Sequence, residues 1–138
     1  MLESAIATAA KAHEGQTDKA GKPYILHPLR VMLNVKGGIP EQCAAVLHDV
    51  IEDTDITAEA LLKLGFSKEV VDAVVLLTRS KDEDYMEYVK RLKANPIARA
   101  VKLADLSDNM DMSRIPNPTE KDLARLEKYK KAKSLLLD

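Results

Sequence analysis

The chain has 138 residues, with 21 basic and 22 acidic side chains and a formal net charge of −1. This length fits one domain, and the balanced charge argues against a general nucleic-acid-binding protein, which usually has a clear basic excess. Cys43 is the only cysteine, no apolar run approaches the ~20 residues of a membrane span, and the first residues lack the layout of a secretory signal. We therefore expect a cytoplasmic enzyme or binding domain spanning residues 1–138, with no intramolecular disulfide and no membrane contact.

The first third of the chain predicts two helices separated by a loop. Apolar residues recur at helical spacing from Leu2 to His13, and Gly15 ends that helix. Residues 14–25 contain two glycines and one proline, which is typical of a loop. Pro28 favours the first turn of a second helix, so we expect His27 at or near its N-cap.

The remaining chain also shows helical periodicity. Pro40 opens a third helix that should run to Val50 or Ile51, Thr57 can cap a fourth, and Ser67 can cap a fifth. Three further helices are predicted over residues 84–93, over residues 96–112, and from Thr119 to the C-terminus. No segment alternates with a period of two, so the expected fold is an all-α bundle of about seven or eight helices.

The residues that surround two of the three histidines suggest a metal site. In LeuHisAspValIleGluAspThr (47–54), His48 and Asp49 are followed one helical turn later by Glu52 and Asp53. The preceding residues are apolar, so the helix that carries these groups should pack into the core. Burying several ionisable groups is costly unless they pair, hydrogen-bond or bind a cation.

Asp105 forms the second part of the predicted site. It follows an apolar stripe in residues 96–112, and Asn109 lies one turn further along the same face. Together with His27, His48 and Asp49 it makes a set of two imidazoles and two carboxylates. Such a set suits a borderline or harder divalent ion such as Mn, Fe, Zn or Ni, with positions left for water and substrate. We predict that these four side chains converge on one ion.

Each feature also has a simpler interpretation. A single histidine before a proline, such as His27, is often a helix cap or a core residue, and an isolated His-Asp pair occurs often by chance. The joint pattern of three motifs favours the metal site. His13 does not join this set by its spacing, and we expect it to have a structural hydrogen-bonding role.

These motifs resemble those of the HD-domain hydrolases, and among them the hydrolase domain of the RelA/SpoT family and the small alarmone hydrolases. Three blocks carry the resemblance: residues 13–28, from HisGluGlyGlnThr to IleLeuHisPro, residues 47–54, and LysLeuAlaAspLeuSerAspAsnMet (102–110). The resemblance implies an α-helical domain that binds Mn²⁺ through His27, His48, Asp49 and Asp105. It also implies removal of the 3′-pyrophosphate from guanosine tetra- or pentaphosphate.

The same resemblance assigns further roles. Glu52 and Asp53 match the acidic pair that activates water and supports the metal site, and Lys19 and Asn109 match positions that contact the nucleotide. Nothing in the chain matches the family's synthetase domain, so we expect degradation only, by a monomer or homodimer.

The chain departs from the family pattern where the nucleotide base should bind. The family usually has Arg-Lys where this chain has Asp18-Lys19, and a carboxylate cannot make the cation–π contact of that arginine. The family's usual Arg-x-His is LeuSerAsp here (106–108), and Met112 replaces a common polar contact. We expect weaker guanine binding than in the family, with Asp18→Arg restoring a stacking contact.

The expected chemistry is direct attack by a metal-activated water, because no nucleophilic Ser or Cys has a His partner. Lys19 would hold the distal phosphates electrostatically, and Lys22 or Arg30 could assist it. Two other hypotheses remain open. One is an HD phosphohydrolase acting on an adenine alarmone or a nucleoside monophosphate, and the other is a nucleotide sensor without turnover.

Overall fold

The computed structural model describes residues 1–138, and its regular elements are helical. The predicted all-α fold is confirmed, and the only β pairing is an isolated bridge between Thr17 and Pro23. Nine α-helices and one 3₁₀-helix follow in chain order: α1 (Leu2–Ala12), α2 (Leu26–Asn34), α3 (Ile39–Leu47), α4 (Val50–Asp53), α5 (Ala58–Lys63), α6 (Lys68–Leu77), α7 (Tyr85–Leu92), α8 (Pro96–Asn109), the 3₁₀-helix (Met112–Arg114) and α9 (Glu120–Leu137). No helix combines the length and the apolar character that a membrane crossing requires.

Side-chain caps set several of these helix starts, as the sequence predicts. The hydroxyl of Thr57 accepts a hydrogen bond from the backbone N–H of Ala60, and that of Ser67 accepts one from Val70. Thr119 and Asp122 form a reciprocal capping box at the start of α9. Each cap satisfies a backbone donor that has no partner inside the helix.

The third helix is shorter than predicted. It was expected to reach Val50 or Ile51, but α3 ends at Leu47, and α4 is a separate single turn. The carbonyl of Ala45 explains the break, because it accepts hydrogen bonds from both the ring Nδ1 and the backbone N–H of His48. In a continuous helix that carbonyl would accept from Asp49.

The start of α2 agrees with the prediction that His27 lies at or near its N-cap. Ile25 is the N-cap, so His27 is the second residue of the helix rather than its cap. The side chain of His27 therefore extends from the first turn of α2.

Helix α3 lies at the centre of the molecule and positions the polar groups described next. Residues 43–47 have no exposed surface, and Cys43 is among them. A helix that is apolar on all sides must be surrounded, and α3 packs against α1, α2, α6 and α8. Since α8 also packs against α2, the start of α2, the end of α3 and the middle of α8 meet in the interior.

Candidate metal centre and nucleotide cavity

Three helices bring His27, His48 and Asp105 together, although up to 78 positions separate them in the chain. One ligand atom from each residue lies within 4.8 Å of the other two. The Nε2 atoms of His27 and His48 are 2.8 and 3.2 Å from the same oxygen, Oδ1 of Asp105. All three side chains are buried, so their polar atoms face one another rather than bulk water.

Asp49 completes this group from the turn between α3 and α4. Its Oδ2 lies 3.1 Å from Nε2 of His48 and 4.0 Å from Nε2 of His27. The hydroxyl of Tyr24 donates a hydrogen bond to the same oxygen. The structure therefore brings together all four residues that the sequence analysis proposes as metal ligands; we call them the four-residue cluster.

The hydrogen bond of His48 sets the tautomer of its neutral ring. Its Nδ1 lies 2.6 Å from the carbonyl oxygen of Ala45, which can only accept, so Nδ1 carries a hydrogen. In the neutral ring, Nε2 then presents a lone pair to the carboxylate oxygens of Asp49 and Asp105. Facing acceptors repel unless a cation or a proton lies between them. Two imidazole nitrogens and carboxylate oxygens are a suitable donor set for a divalent transition metal.

The ionisation of the cluster agrees with this geometry. Burial alone would lower the pKa of His48, but the charges of Asp49 and Asp105 raise it well above its usual value. Burial would raise the pKa of Asp105, yet Lys102 and His48 hold it well below its usual range. The carboxylates thus favour positive charge on the imidazoles, and a cation bound between these groups would supply the same positive charge.

Lys102 neutralises the other oxygen of Asp105. Its ammonium is 3.0 Å from Oδ2 and lies beside the rings of Tyr85 and Tyr88, and the residue is only 8% exposed. The sequence analysis did not identify Lys102 or Tyr24 as part of the site. The spacing of Lys102 and Asp105, three residues apart on one helix, was a signal for the first of these contacts.

A cavity of about 480 Å³ opens onto the cluster and contains the predicted substrate and catalytic positions. The cavity is lined by five of the predicted residues and by three arginines: Lys19, Asn109, Asp18, Glu52 and Asp53, and Arg30, Arg114 and Arg125. Lys22, which was considered as a phosphate contact, is not part of this lining. Asn109 also donates a hydrogen bond to Oδ1 of Asp105 at 3.3 Å, which connects the lining of the cavity to the cluster.

The acidic pair of α4 lies at the exposed side of this cavity. Oε1 of Glu52 accepts a hydrogen bond from the backbone N–H of Arg79 at 2.8 Å. Desolvation, together with the charges of Asp49 and Glu52, raises the pKa of Asp53 to about 6. A carboxylate of this kind is suited to proton transfer near neutral pH, although a bound cation would lower its pKa.

Asp18 has a local role in the loop between α1 and α2. Its Oδ1 accepts hydrogen bonds from the backbone N–H groups of Ala20 and Lys22, both at 2.9 Å. Lys19 is exposed and lines the cavity beside it. Contact of Asp18 and Lys19 with a nucleotide stays a prediction.

His13 lies outside the cluster, as predicted. It is buried, and its Nδ1 is 2.8 Å from Oε1 of Gln16. The side-chain amide of Gln16 donates to the backbone carbonyl of Asp53 at 3.0 Å. His13 therefore supports the turn that carries the acidic pair.

Residues 5–129 match the model of the HD domain family. The chain belongs to this family. The four-residue cluster lies where α2, the end of α3 and α8 meet, and each of the three motifs of the sequence analysis contributes to it.

Two bacterial proteins are similar to this chain over most of its length. The chain is 36% identical to guanosine-3′,5′-bis(diphosphate) 3′-pyrophosphohydrolase of Vibrio cholerae over 79% of its length, and 35% identical to the bifunctional (p)ppGpp synthase/hydrolase SpoT of Escherichia coli over 79%. These alignments cover 17% of each relative, so the chain spans about a sixth of their length. A solved structure described as a metazoan SpoT ortholog that hydrolyzes ppGpp superposes with a TM-score of 0.82 at 26% identity, covering 98% of this chain and 84% of the other.

Proposed function

We propose that this HD domain is a Mn²⁺-dependent hydrolase that removes the 3′-pyrophosphate from guanosine 3′,5′-bis(diphosphate). The observation that carries the proposal is the meeting of two imidazole Nε2 atoms and an Asp105 oxygen within 4.8 Å, beside a cavity of about 480 Å³. The names of the relatives support this substrate, as does the metazoan structure.

Four side chains would hold the ion: His27, His48, Asp49 and Asp105. When bound, it would acidify a water ligand and neutralise charge that develops on the phosphate oxygens. Tyr24 fixes Oδ2 of Asp49, and Lys102 fixes Oδ2 of Asp105, so each carboxylate is oriented by a neighbour. Preoriented ligands raise metal affinity because little order is lost on binding.

The remaining cavity residues would bind the substrate and move the proton. Glu52 or Asp53 would accept the proton of the attacking water. Lys19 would pair with a phosphate, and Asn109 would hydrogen-bond the nucleotide. Attack of this water on the phosphorus bonded to O3′ would break the P–O3′ bond. The 3′ oxygen would take up a proton as it leaves, and pyrophosphate and guanosine 5′-diphosphate would be released.

A second candidate function is hydrolysis of another nucleotide, such as an adenine alarmone or a nucleoside monophosphate. This function is favoured by Asp18. One of its carboxylate oxygens accepts two backbone hydrogen bonds within its own loop, and the side chain offers no stacking plane to guanine. A nucleotide panel with Mn²⁺, in which phosphate and pyrophosphate release are measured separately, tests both candidates. Faster pyrophosphate release from guanosine tetraphosphate than from any other nucleotide supports the first candidate function. Nucleotide binding without release of either product would instead indicate a sensor.

Mn²⁺ should stabilise the folded chain. A ligand that binds only the native state adds about 2.7 kcal/mol of stability when its free concentration is 100 times its Kd. We expect urea unfolding experiments to show this increase in the free energy of unfolding with Mn²⁺, and to show its loss when Mn²⁺ is chelated. Ca²⁺ is the control ion because it prefers six to eight oxygen ligands. Equal stabilities with and without Mn²⁺ would contradict the metal assignment.

Two substitutions of Asp18 test its predicted substrate contact. Asp18→Asn keeps the oxygen that accepts from Ala20 and Lys22 but removes the charge. If a phosphate lies nearby, KM for guanosine tetraphosphate should fall a few-fold, since two unit charges about 4 Å apart in water repel by about 1 kcal/mol.

Asp18→Arg adds the missing stacking group, worth about 1–3 kcal/mol, but gives up the two hydrogen bonds of the loop. The measurement is KM for guanosine tetraphosphate and its adenine counterpart with each variant. Unchanged KM values in both variants would show that position 18 does not contact the nucleotide.

A further inference from the structure

One buried carboxylate beside the four-residue cluster has no role in the proposed mechanism. Asp108 is 9% exposed and lies three residues after Asp105 on α8, so both side chains occupy one face of the helix. The RelA/SpoT-type pattern described above has histidine at this position. Asp108 is therefore a feature of this chain that the family pattern does not explain.

Asp108 contacts Nδ1 of His27, the ring nitrogen that faces away from the four-residue cluster. Its Oδ2 is 2.6 Å from Nδ1, while Nε2 of the same ring faces Oδ1 of Asp105. Because an ionised carboxylate can only accept, Nδ1 carries the hydrogen and Nε2 is the free nitrogen of the neutral ring. This is the orientation that the Ala45 carbonyl gives to His48.

Two arginines hold Asp108 in place. Arg30 donates from Nε to Oδ1 at 2.7 Å and from Nη2 to Oδ2 at 3.1 Å, a bidentate contact. Arg114 lies 3.3 Å from Oδ1 and also donates to the backbone carbonyl of Asp108 at 3.0 Å. Arg30 is one helical turn after His27 on α2, so a single carboxylate of α8 binds two successive turns of α2.

We propose that Asp108 is a positioning residue, which directs Nε2 of His27 to the metal and increases the electron density of the ring. A carboxylate behind a metal-binding histidine fixes the tautomer and the ring orientation, and its loss typically weakens metal binding 10–100-fold. The inference rests on the metal centre in the proposed function. The competing explanation is that Asp108 only joins α2 to α8 by ion pairs.

The Mn²⁺ affinity of the full chain separates these explanations. Free Mn²⁺ gives an electron paramagnetic resonance signal that is lost on binding, so its titration yields Kd without an activity assay. Asp108→Ala should raise Kd about 10–100-fold. Asp108→Asn should raise it less, because the amide oxygen can still accept from Nδ1. Circular dichroism of each variant verifies that Kd is measured on folded protein.

Asp111→Asn is the matched control. Asp111 pairs with Arg114 at 3.0 Å but has no contact with His27, so this change removes one negative charge nearby and should leave Kd unchanged. Wild-type Kd values in both folded Asp108 variants would overturn the inference, even if those variants were less stable. If the wild-type chain itself takes up no Mn²⁺, the proposed metal centre fails, and the positioning role fails with it.

Discussion

Replacing Asp105 by alanine should abolish hydrolysis and lower the free energy of unfolding by about 3–5 kcal/mol. The functional loss follows from the position of Oδ1, which lies within 3.2 Å of both imidazole Nε2 atoms. The loss of stability has a different cause. Lys102 is buried, its ammonium pairs with Oδ2 of Asp105, and removal of one partner leaves an uncompensated charge in the interior.

A double variant separates the two effects. In Asp105→Ala/Lys102→Met both members of the pair are gone, and the methionine can pack against the rings of Tyr85 and Tyr88. We expect urea unfolding to show that the double variant regains most of the stability, while Mn²⁺ binding and hydrolysis remain absent. A single variant as stable as the wild type would contradict the buried pair. Full turnover in either variant would show that Asp105 is not a required ligand.

Glu52→Gln should leave the metal bound but lower kcat by about 10²–10⁴-fold. Glutamine preserves the oxygen that accepts from the backbone N–H of Arg79, so the link between α4 and the segment after α6 is retained. What it loses is the capacity to accept a proton. The measurements are kcat with saturating nucleotide and Mn²⁺ content per chain.

Asp53→Asn is the companion variant, because its carboxylate has the pKa raised to about 6 and either acid could be the base. Glu59→Gln, an exposed residue outside the cavity, is the control and should keep wild-type kcat. Near-normal kcat in Glu52→Gln at full metal content would exclude Glu52 as the essential base. If Asp53→Asn alone then loses turnover, the role belongs to Asp53.

Local sequence signals were sufficient for most of the helices. Caps such as Thr57, Ser67 and Thr119 act within three residues, so the sequence displays both partners of each hydrogen bond. The break at His48 was not visible in the same way. It depends on a ring nitrogen that binds Ala45, and a histidine side chain does not show from sequence which acceptor it will take.

The four-residue cluster could be proposed from sequence because burial of polar groups within apolar helices needs a shared partner. Residue type and position thus determined which side chains were candidates, and the all-α fold that carries them. The orientation of each ligand was decided only by packing. Tyr24 reaches Asp49 across 25 positions, and Asp108 reaches His27 across 81. Periodicity cannot encode such pairs, because a carboxylate accepts from whichever donor the assembled helices place nearest to it.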